Sequence, residues 1–262
     1  MDLSSEPLAR LRERAAQERP GAERSAMIEA LRADGRRGAR DLAQQMVRRD
    51  RAAAAERERL RQLFERRAAL FANGARFVAG VDEVGMGPLA GPVVAVAVIL
   101  PAEVELSGLR DSKRLSPRAR ESLAERIRAQ AVACAVGKVW PDEIDRLNIF
   151  RAGLEAMRRA VASLAPAPDH VLVDARTIPE VAAPQTAIVG GDGSDGSIAA
   201  ASIVAKVHRD AIMRHLDSRY PGYGFEQHMG YGTEQHIAAL HRLGPSPVHR
   251  RSFAPVARVA SP

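Results

Sequence analysis

Four acidic positions carry the chemistry legible in this 262-residue sequence: Asp82, Glu83, Asp174 and Asp192. Asp82 and Glu83 follow the apolar run 77–81, Asp174 follows 171–173, and Asp192 lies just beyond 186–189. Each is expected at or just past the C-terminal end of a strand, the edge where open α/β sheets build their sites. Carboxylates gathered in one cleft repel each other and persist only beside compensating positive charge. The single cysteine, Cys134, rules out a multi-cysteine zinc or iron–sulfur centre. A hard divalent cation with oxygen ligands, Mg²⁺ or Mn²⁺, fits instead. Two such ions can hold a phosphodiester, activate a water and stabilise the leaving oxygen. Taken singly, each acid can equally cap a helix or sit on the surface, and Asp192 can cap a turn within Gly190-Gly191-Asp192-Gly193.

The elements that must bring these residues together follow from residue type and period. Strands are expected over 77–81, 93–100, 131–139, 171–173 and 186–189, all rich in β-branched or small apolar residues. Ser116-Pro117 is a helix start, with serine as N-cap and proline in the first turn, and the helix runs to about Gln130. Ile144, Leu147, Leu154, Met157, Val161 and Leu164 step by three, four and seven, as on one amphipathic helix. Further helices are expected over 198–216 and 233–243. Three early strands followed by alternating helices and strands indicate an α/β domain with a mixed central sheet. Adjacent strand residues point to opposite faces, so Asp82 and Glu83 share one centre only if the strand ends there and turns, which Gly85 and Gly87 favour.

The sequence changes character near Asn73-Gly74. Residues 1–74 hold 17 arginines and 12 acids, and the remaining residues 22 basic and 20 acidic, so +5 of the net charge of +7 lies in the first part. That part is rich in strong helix formers, with breaks expected at Pro20-Gly21 and at Gly35 and Gly38 and none over 52–70. It reads as a helical arginine-rich extension, 1–74, ahead of a domain at 75–262 with a helical C-terminal region. The extension is either a solvated appendage packed loosely on the main body or an accessory clamp on nucleic acid. Only Lys113, Lys138 and Lys206 are lysines. Arginine bias alone accounts for that, and arginine also suits bidentate phosphate recognition. A composition of 46% hydrophobic and 27% charged residues excludes wholesale disorder. The longest apolar run, 93–100, is too short to cross a bilayer, and Met1-Asp2-Leu3-Ser4-Ser5 lacks a secretory pattern. With one cysteine, a reducing, cytoplasmic setting is expected.

Gly85-Met86-Gly87-Pro88-Leu89-Ala90 matches the dinucleotide fingerprint, but Pro92 and a valine-rich strand follow where that motif needs a helix. The glycines are expected to admit a substrate close to the backbone instead. His236 and His241 read as a solvated helix face, and Cys134 and Trp140 as core. His249-Arg250-Arg251 either binds phosphate or closes the C-terminal lobe.

The segment Gly80-Val81-Asp82-Glu83-Val84-Gly85-Met86-Gly87-Pro88-Leu89-Ala90-Gly91-Pro92 resembles the signature of bacterial ribonuclease HII. So do Asp111-Ser112-Lys113, Asp145-Arg146-Leu147-Asn148-Ile149, Val171-Leu172-Val173-Asp174-Ala175 and Gly191-Asp192. The similarity continues through Ala200-Ala201-Ser202-Ile203-Val204-Ala205-Lys206-Val207, Arg209-Asp210, Tyr223-Gly224-Phe225, Gly230-Tyr231-Gly232-Thr233 and His249-Arg250-Arg251-Ser252-Phe253. The resemblance implies an RNase H-like fold and endonucleolytic cleavage of RNA in RNA–DNA hybrids and at single ribonucleotides in duplex DNA. It implies Mg²⁺ or Mn²⁺ as cofactor, with 3′-hydroxyl and 5′-phosphate products. By motif it makes Asp82, Glu83, Asp174 and Asp192 the catalytic, metal-holding carboxylates. Gly85, Met86, Gly87 and Tyr231 would read the ribonucleotide through its 2′-hydroxyl, with Lys113 and Lys206 near the substrate. A monomer is expected.

Three positions depart from the family's usual pattern. Met86 stands where arginine is usual, and Gly190 and Met229 where lysine is usual. Two other outcomes therefore stand beside the ribonuclease: an RNase H-like protein that binds nucleic acid with weakened or altered cleavage, and a nuclease of the same fold that prefers DNA junctions.

Overall fold

A computed structural model describes Leu3 and residues 5–260. Met1, Asp2 and Ser4, within the start that lacks a secretory pattern, and Ser261 and Pro262, at the end of the second segment, lie outside the described residues. The chain divides into two compact units, Met1–Arg61 and Gln62–Pro262.

The first unit is built from α1 (Leu8–Gln17), α2 (Ala22–Ala33) and nearly all of α3 (Arg37–Leu63). Pro20-Gly21 and Gly35 fall in the breaks, as expected, whereas Gly38 lies inside α3 and the stretch 52–70 is interrupted at Phe64, where α3 ends. Leu11, Ala15, Met27, Ile28, Leu31, Leu42, Ala43 and Met46 form a core of its own. Part of its arginine content is internal fastening. Buried Arg24 donates to both carboxylate oxygens of Asp50 at 2.9 and 3.0 Å, and Arg36 donates to the Leu3 and Glu6 carbonyls.

The second unit begins earlier than the composition change at Asn73-Gly74. Its first helix, α4 (Glu65–Ala72), contributes Leu70 and Phe71 to a cluster with Val78, Leu172 and Ile198. The elements that follow are β1 (Val78–Val84), β2 (Val93–Ile99), α5 (Pro117–Gln130), β3 (Ala133–Val139), α6 (Pro141–Leu147), α7 (Ile149–Ala162), β4 (His170–Asp174) and β5 (Gln185–Ile188). The chain closes with α8 (Gly191–Ser194), α9 (Gly196–Arg219), α10 (Phe225–His228), α11 (Glu234–Leu243) and α12 (Ala254–Ala260). The sheet order is β3-β2-β1-β4-β5, with β1–β2 and β2–β3 antiparallel and β1–β4 and β4–β5 parallel, which bears out the expected mixed sheet.

Helices cover both faces. Ala79 and Val81 of β1 pack with Ala156, Met157 and Ala160 of α7. On the other face α9 approaches so closely that a Cβ on Gly80 would strike the Ser197 backbone. Asp195 caps α9, accepting from the Ser197 and Ile198 amides at 2.9 and 3.3 Å. The Ser116 cap on α5 is present as expected, its hydroxyl accepting from the Ala119 amide at 3.3 Å. The single amphipathic helix expected through 144–164 is two helices, because Asn148 (φ 69°) ends α6 and caps α7 through the Arg151 amide. Cys134 and Trp140 are not core residues: β3 is an edge strand with one long side unpaired, and both side chains are exposed.

Candidate active site

The β1–β4 boundary sets the site. Parallel pairing stops at Val81↔Val173, while pairing to β2 continues to Val84↔Val94. β1 therefore does not end at Asp82, as expected from the sequence; β2 keeps it extended for two more residues. Asp82 and Glu83 project beyond the last β1–β4 pair, beside Asp174 at the end of β4. The pleat sends Asp82 to the α9 face with Gly80, and Glu83 to the α7 face with Val81.

Each carboxylate has a different environment. Asp82 is 6% exposed and accepts the Glu83 amide on one oxygen at 2.8 Å, with the Ser202 hydroxyl of α9 near enough to favour its charged form. Burial first, then the charge of Glu83, push its pKa well above the usual carboxylate value, and Asp174 adds to the effect. Burial also raises Glu83, with Asp174 and Asp192 in the same direction and Arg176 opposing. Asp174 accepts the Gly191 amide at 2.7 Å, which ties β4 to α8. Asp192, on α8, receives Lys113 Nζ at 2.8 Å. The charges of Glu83 and Asp174 thus bear on Asp82, and those of Asp174 and Asp192 on Glu83.

All the side-chain donors of this cluster are oxygen, the set a hard divalent cation selects. Among the described residues, Glu83 Oε2 is buried with no hydrogen-bond partner. Among the described residues, no three His, Cys, Asp or Glu side chains are closed around a point that could hold an ion. Each carboxylate is instead turned toward a substitute: Ser202, Arg176, the Gly191 amide or Lys113. The chemistry of the residues fits a cation.

The glycine loop after β1 is held by two buried arginines. Arg250 donates to the carbonyls of Gly85 (2.6 Å), Met86 (3.1 Å) and Gly91 (2.9 Å). Arg209 of α9 donates to Pro92, Ala90 and Met229. Gly85 (φ 92°) adopts the left-handed conformation that glycine tolerates, and a Cβ there would strike Arg209. Gly87 is exposed, and a Cβ on it would lie 3.6 Å from the Tyr231 ring. Leu89 N donates to the Gly230 carbonyl at 2.8 Å, which ties the glycine loop to the tyrosine turn. Gly85, Gly87 and Tyr231 are thus brought together. The Met86 side chain packs inward against the core beside Gly153. Lys113 joins the carboxylates, whereas Lys206 pairs with Asp210 at 2.6 Å along α9.

His236 is fully buried, not on a solvated face; His228, His236 and His249 form a chain with Tyr223 and Phe225. Ser246 N donates to His249 Nδ1, so His249 Nε2 carries the proton toward His236 Nε2 at 3.0 Å. That leaves His236 Nδ1 as donor to the Tyr231 carbonyl at 2.8 Å. His249 and Arg250 therefore brace the tyrosine turn and the glycine loop from inside. Sequence reasoning also passed over Arg176, Ser112 and Ser202. Their roles depend on contacts made across the fold, such as Ser112 Oγ to Ser202 Oγ at 3.1 Å.

Comparison with known proteins agrees with this arrangement. The family profile described as Ribonuclease HII matches residues 79–256. A "Ribonuclease HII" of Anaeromyxobacter sp. (strain Fw109-5) is 53% identical over 227 residues, 87% of this chain and 72% of that protein. One from Geobacillus thermodenitrificans (strain NG80-2) is 52% identical over 228 residues, 87% of this chain and 88% of the other. The crystal structure of the ribonuclease H2 from Pyrococcus horikoshii OT3 superposes with a TM-score of 0.59 at 27% identity, covering 70% of this chain and 97% of that one. A mixed five-stranded sheet between helices, the expected RNase H-like fold, and this extent of similarity place the chain in the ribonuclease HII family.

Proposed function

We propose that this type II ribonuclease H, a divalent-metal-dependent hydrolase, cuts through Asp82, Glu83, Asp174 and Asp192, which together hold two cations, Mg²⁺ or Mn²⁺. Its substrates are the RNA strand of RNA–DNA hybrids and duplex DNA containing single ribonucleotides. The products are a 3′-hydroxyl and a 5′-phosphate. One observation carries the reading: the charges of Asp174, at the end of β4, and Asp192, on α8, both bear on Glu83 at the end of β1, with Asp82 buried beside it and Glu83 Oε2 unpartnered among the described residues.

Bound cations would offset that negative charge, lower the pKa of an attacking water and neutralise charge developing on the phosphate. The protein's own part is positioning, which dominates phosphoryl chemistry. Ser202 and the Glu83 amide orient Asp82, and the Gly191 amide orients Asp174. Gly87, lacking a side chain, lets a sugar approach the loop backbone beside the Tyr231 ring. The 2′-hydroxyl is the group that separates RNA from DNA locally, so this corner is the natural place to sense it. Tyr231, 47% exposed, has the free ring face that stacking on a sugar or base requires. Lys113, exposed beyond Asp192, offers positive charge to the substrate backbone. Lys206, paired with Asp210 on α9, is read as lying near the substrate. The protein is read as a cytoplasmic monomer; among the described residues no helix is long and apolar enough to cross a membrane.

The test is a duplex carrying one ribonucleotide, incubated with Mg²⁺ or Mn²⁺ beside an all-DNA control. Cleavage of the first alone, at the ribonucleotide, is expected. Binding without cleavage, or equal cutting of both, overturns the reading.

A further inference from the structure

We propose that Arg176 is a substrate-phosphate residue, held against Glu83 until a cation takes that carboxylate. The inference rests on the carboxylate reading above and adds a residue to it. Arg176 stands two positions after Asp174. Ala175 (φ 57°) and the Arg176 amide, which donates to the Asp174 carbonyl at 2.7 Å, form a tight turn at the end of β4. Arg176 Nη1 lies 3.9 Å from Glu83 Oε1, near enough for charge attraction and too far for a hydrogen bond.

Both partners are left incomplete. Arg176 Nη1 and Glu83 Oε2 are each buried with no hydrogen-bond partner. A buried donor or acceptor in that state costs free energy, more when it is charged. A pair serving only as an internal ion pair would close that short gap. An unmet carboxylate oxygen fits a cation, and an unmet guanidinium N–H fits an oxyanion. Binding of the first ligand frees the second partner.

The surroundings favour a phosphate. The guanidinium lies over the Phe150 ring at 4.7 Å, and that ring is 52% exposed, so the pair borders solvent. The ring contact steadies the guanidinium, whose planar fork suits bidentate contact with a phosphate. A Cβ on Gly153 would lie 3.0 Å from Met86 Sδ and 3.8 Å from Arg176 Nη1, so the two side chains meet over that glycine. Met86 brings no charge to this flank, and Arg176 does. Lys113 on Asp192 supplies charge at the other flank of the carboxylates.

The experiment measures binding without turnover. A fluorescein-labelled DNA duplex with one ribonucleotide is titrated with wild type, Arg176→Met and Arg176→Lys. Anisotropy is read over a salt series, in EDTA and in Ca²⁺, with the duplex verified intact on a gel. Wild type is expected to bind more tightly in Ca²⁺. Arg176→Met should lose roughly tenfold in Ca²⁺, with a salt slope shallower by about 0.9, and change little in EDTA. Arg176→Lys should keep the slope and lose part of the affinity. Arg176→Met binding like wild type in Ca²⁺, or losing equally in both conditions, overturns the proposal. An Asp174→Asn control separates this from failure of the site itself: if wild type gains nothing from Ca²⁺, or Asp174→Asn keeps the full gain, the carboxylate reading has failed instead.

Discussion

Lys113 Nζ sits 2.8 Å from Asp192 Oδ2, joining a side chain that is 79% exposed to one that is 15% exposed. The lysine caps the outer edge of the carboxylate cluster and competes with any cation for that oxygen. Because Lys113 is mostly in water, its own effect is modest, at most about 1 kcal/mol. Lys113→Met is expected to tighten Mn²⁺ binding a few-fold in calorimetry without nucleic acid, and to raise KM for the duplex. Weaker Mn²⁺ binding would place Lys113 among the groups that organise the site.

Asp174 repels Asp82 and Glu83, yet it anchors Gly191 through a bond that an asparagine oxygen can also accept. Asp174→Asn should therefore abolish cleavage, leave metal-free duplex binding in place, and raise the melting temperature in EDTA. Relief of about 1 kcal/mol corresponds to a rise of about 2–4 °C at this chain length. An active variant, or a lower melting temperature in EDTA, would count against a strained metal-free cluster.

The buried acids also set a pH dependence with a definite sign. The pKa of Asp82 is raised above 3.8 and that of Glu83 above 4.5, so their charged forms are disfavoured in the folded state. The folded protein holds these protons more tightly than the unfolded chain, and stability is lost as pH rises through the folded pKa values. In EDTA, the difference in melting temperature between Asp82→Asn and wild type should grow in the variant's favour from pH 4 to pH 7. Excess Mg²⁺ should shrink that difference at pH 7. A difference independent of pH would show Asp82 to be ordinarily solvated.

Arg250 is fully buried and holds carbonyls at Gly85, Met86 and Gly91. Burial lowers its pKa to about 9, so it remains charged at neutral pH. Arg250→Met leaves several buried carbonyls unmet, and breaking such a charged cluster costs about 3–5 kcal/mol. The expected signs are a sharply lower melting temperature and faster amide exchange across 85–91. Unchanged exchange there would assign the loop's rigidity to Arg209 alone.

Truncation distinguishes the sequence boundary from the structural one. Removal of 1–61 should leave a folded Gln62–Pro262 unit, whereas removal of 1–74 also strips α4, with Leu70 and Phe71 of its core cluster. The shorter deletion should flatten the salt dependence of duplex binding if exposed arginines of the first unit touch phosphate. An unchanged slope would assign that unit no part in binding.

Much of this was legible in the residues. The five strands, the Ser116 cap and the strand-end carboxylates follow from apolar runs and what terminates them. The break at Asn148 was not, because its left-handed backbone interrupts a pattern whose apolar steps run straight through. The extension of β1 to Val84 depends on β2, a partner strand that periodicity within β1 cannot reveal. Polar residues that serve the fold from within, His236, His249 and Arg250, carry surface-type chemistry, and only tertiary partners explain their burial. Arg176 matched no motif; its interest comes from the space it shares with Glu83 and Met86.

The central claim is that Asp82, Glu83, Asp174 and Asp192 close around divalent cations. Anomalous diffraction from crystals grown with Mn²⁺ tests it directly. The expected result is manganese density between these carboxylates, with Lys113 displaced from Asp192 and Arg176 from Glu83. Manganese bound elsewhere, or an unoccupied cluster at saturating Mn²⁺, would contradict it.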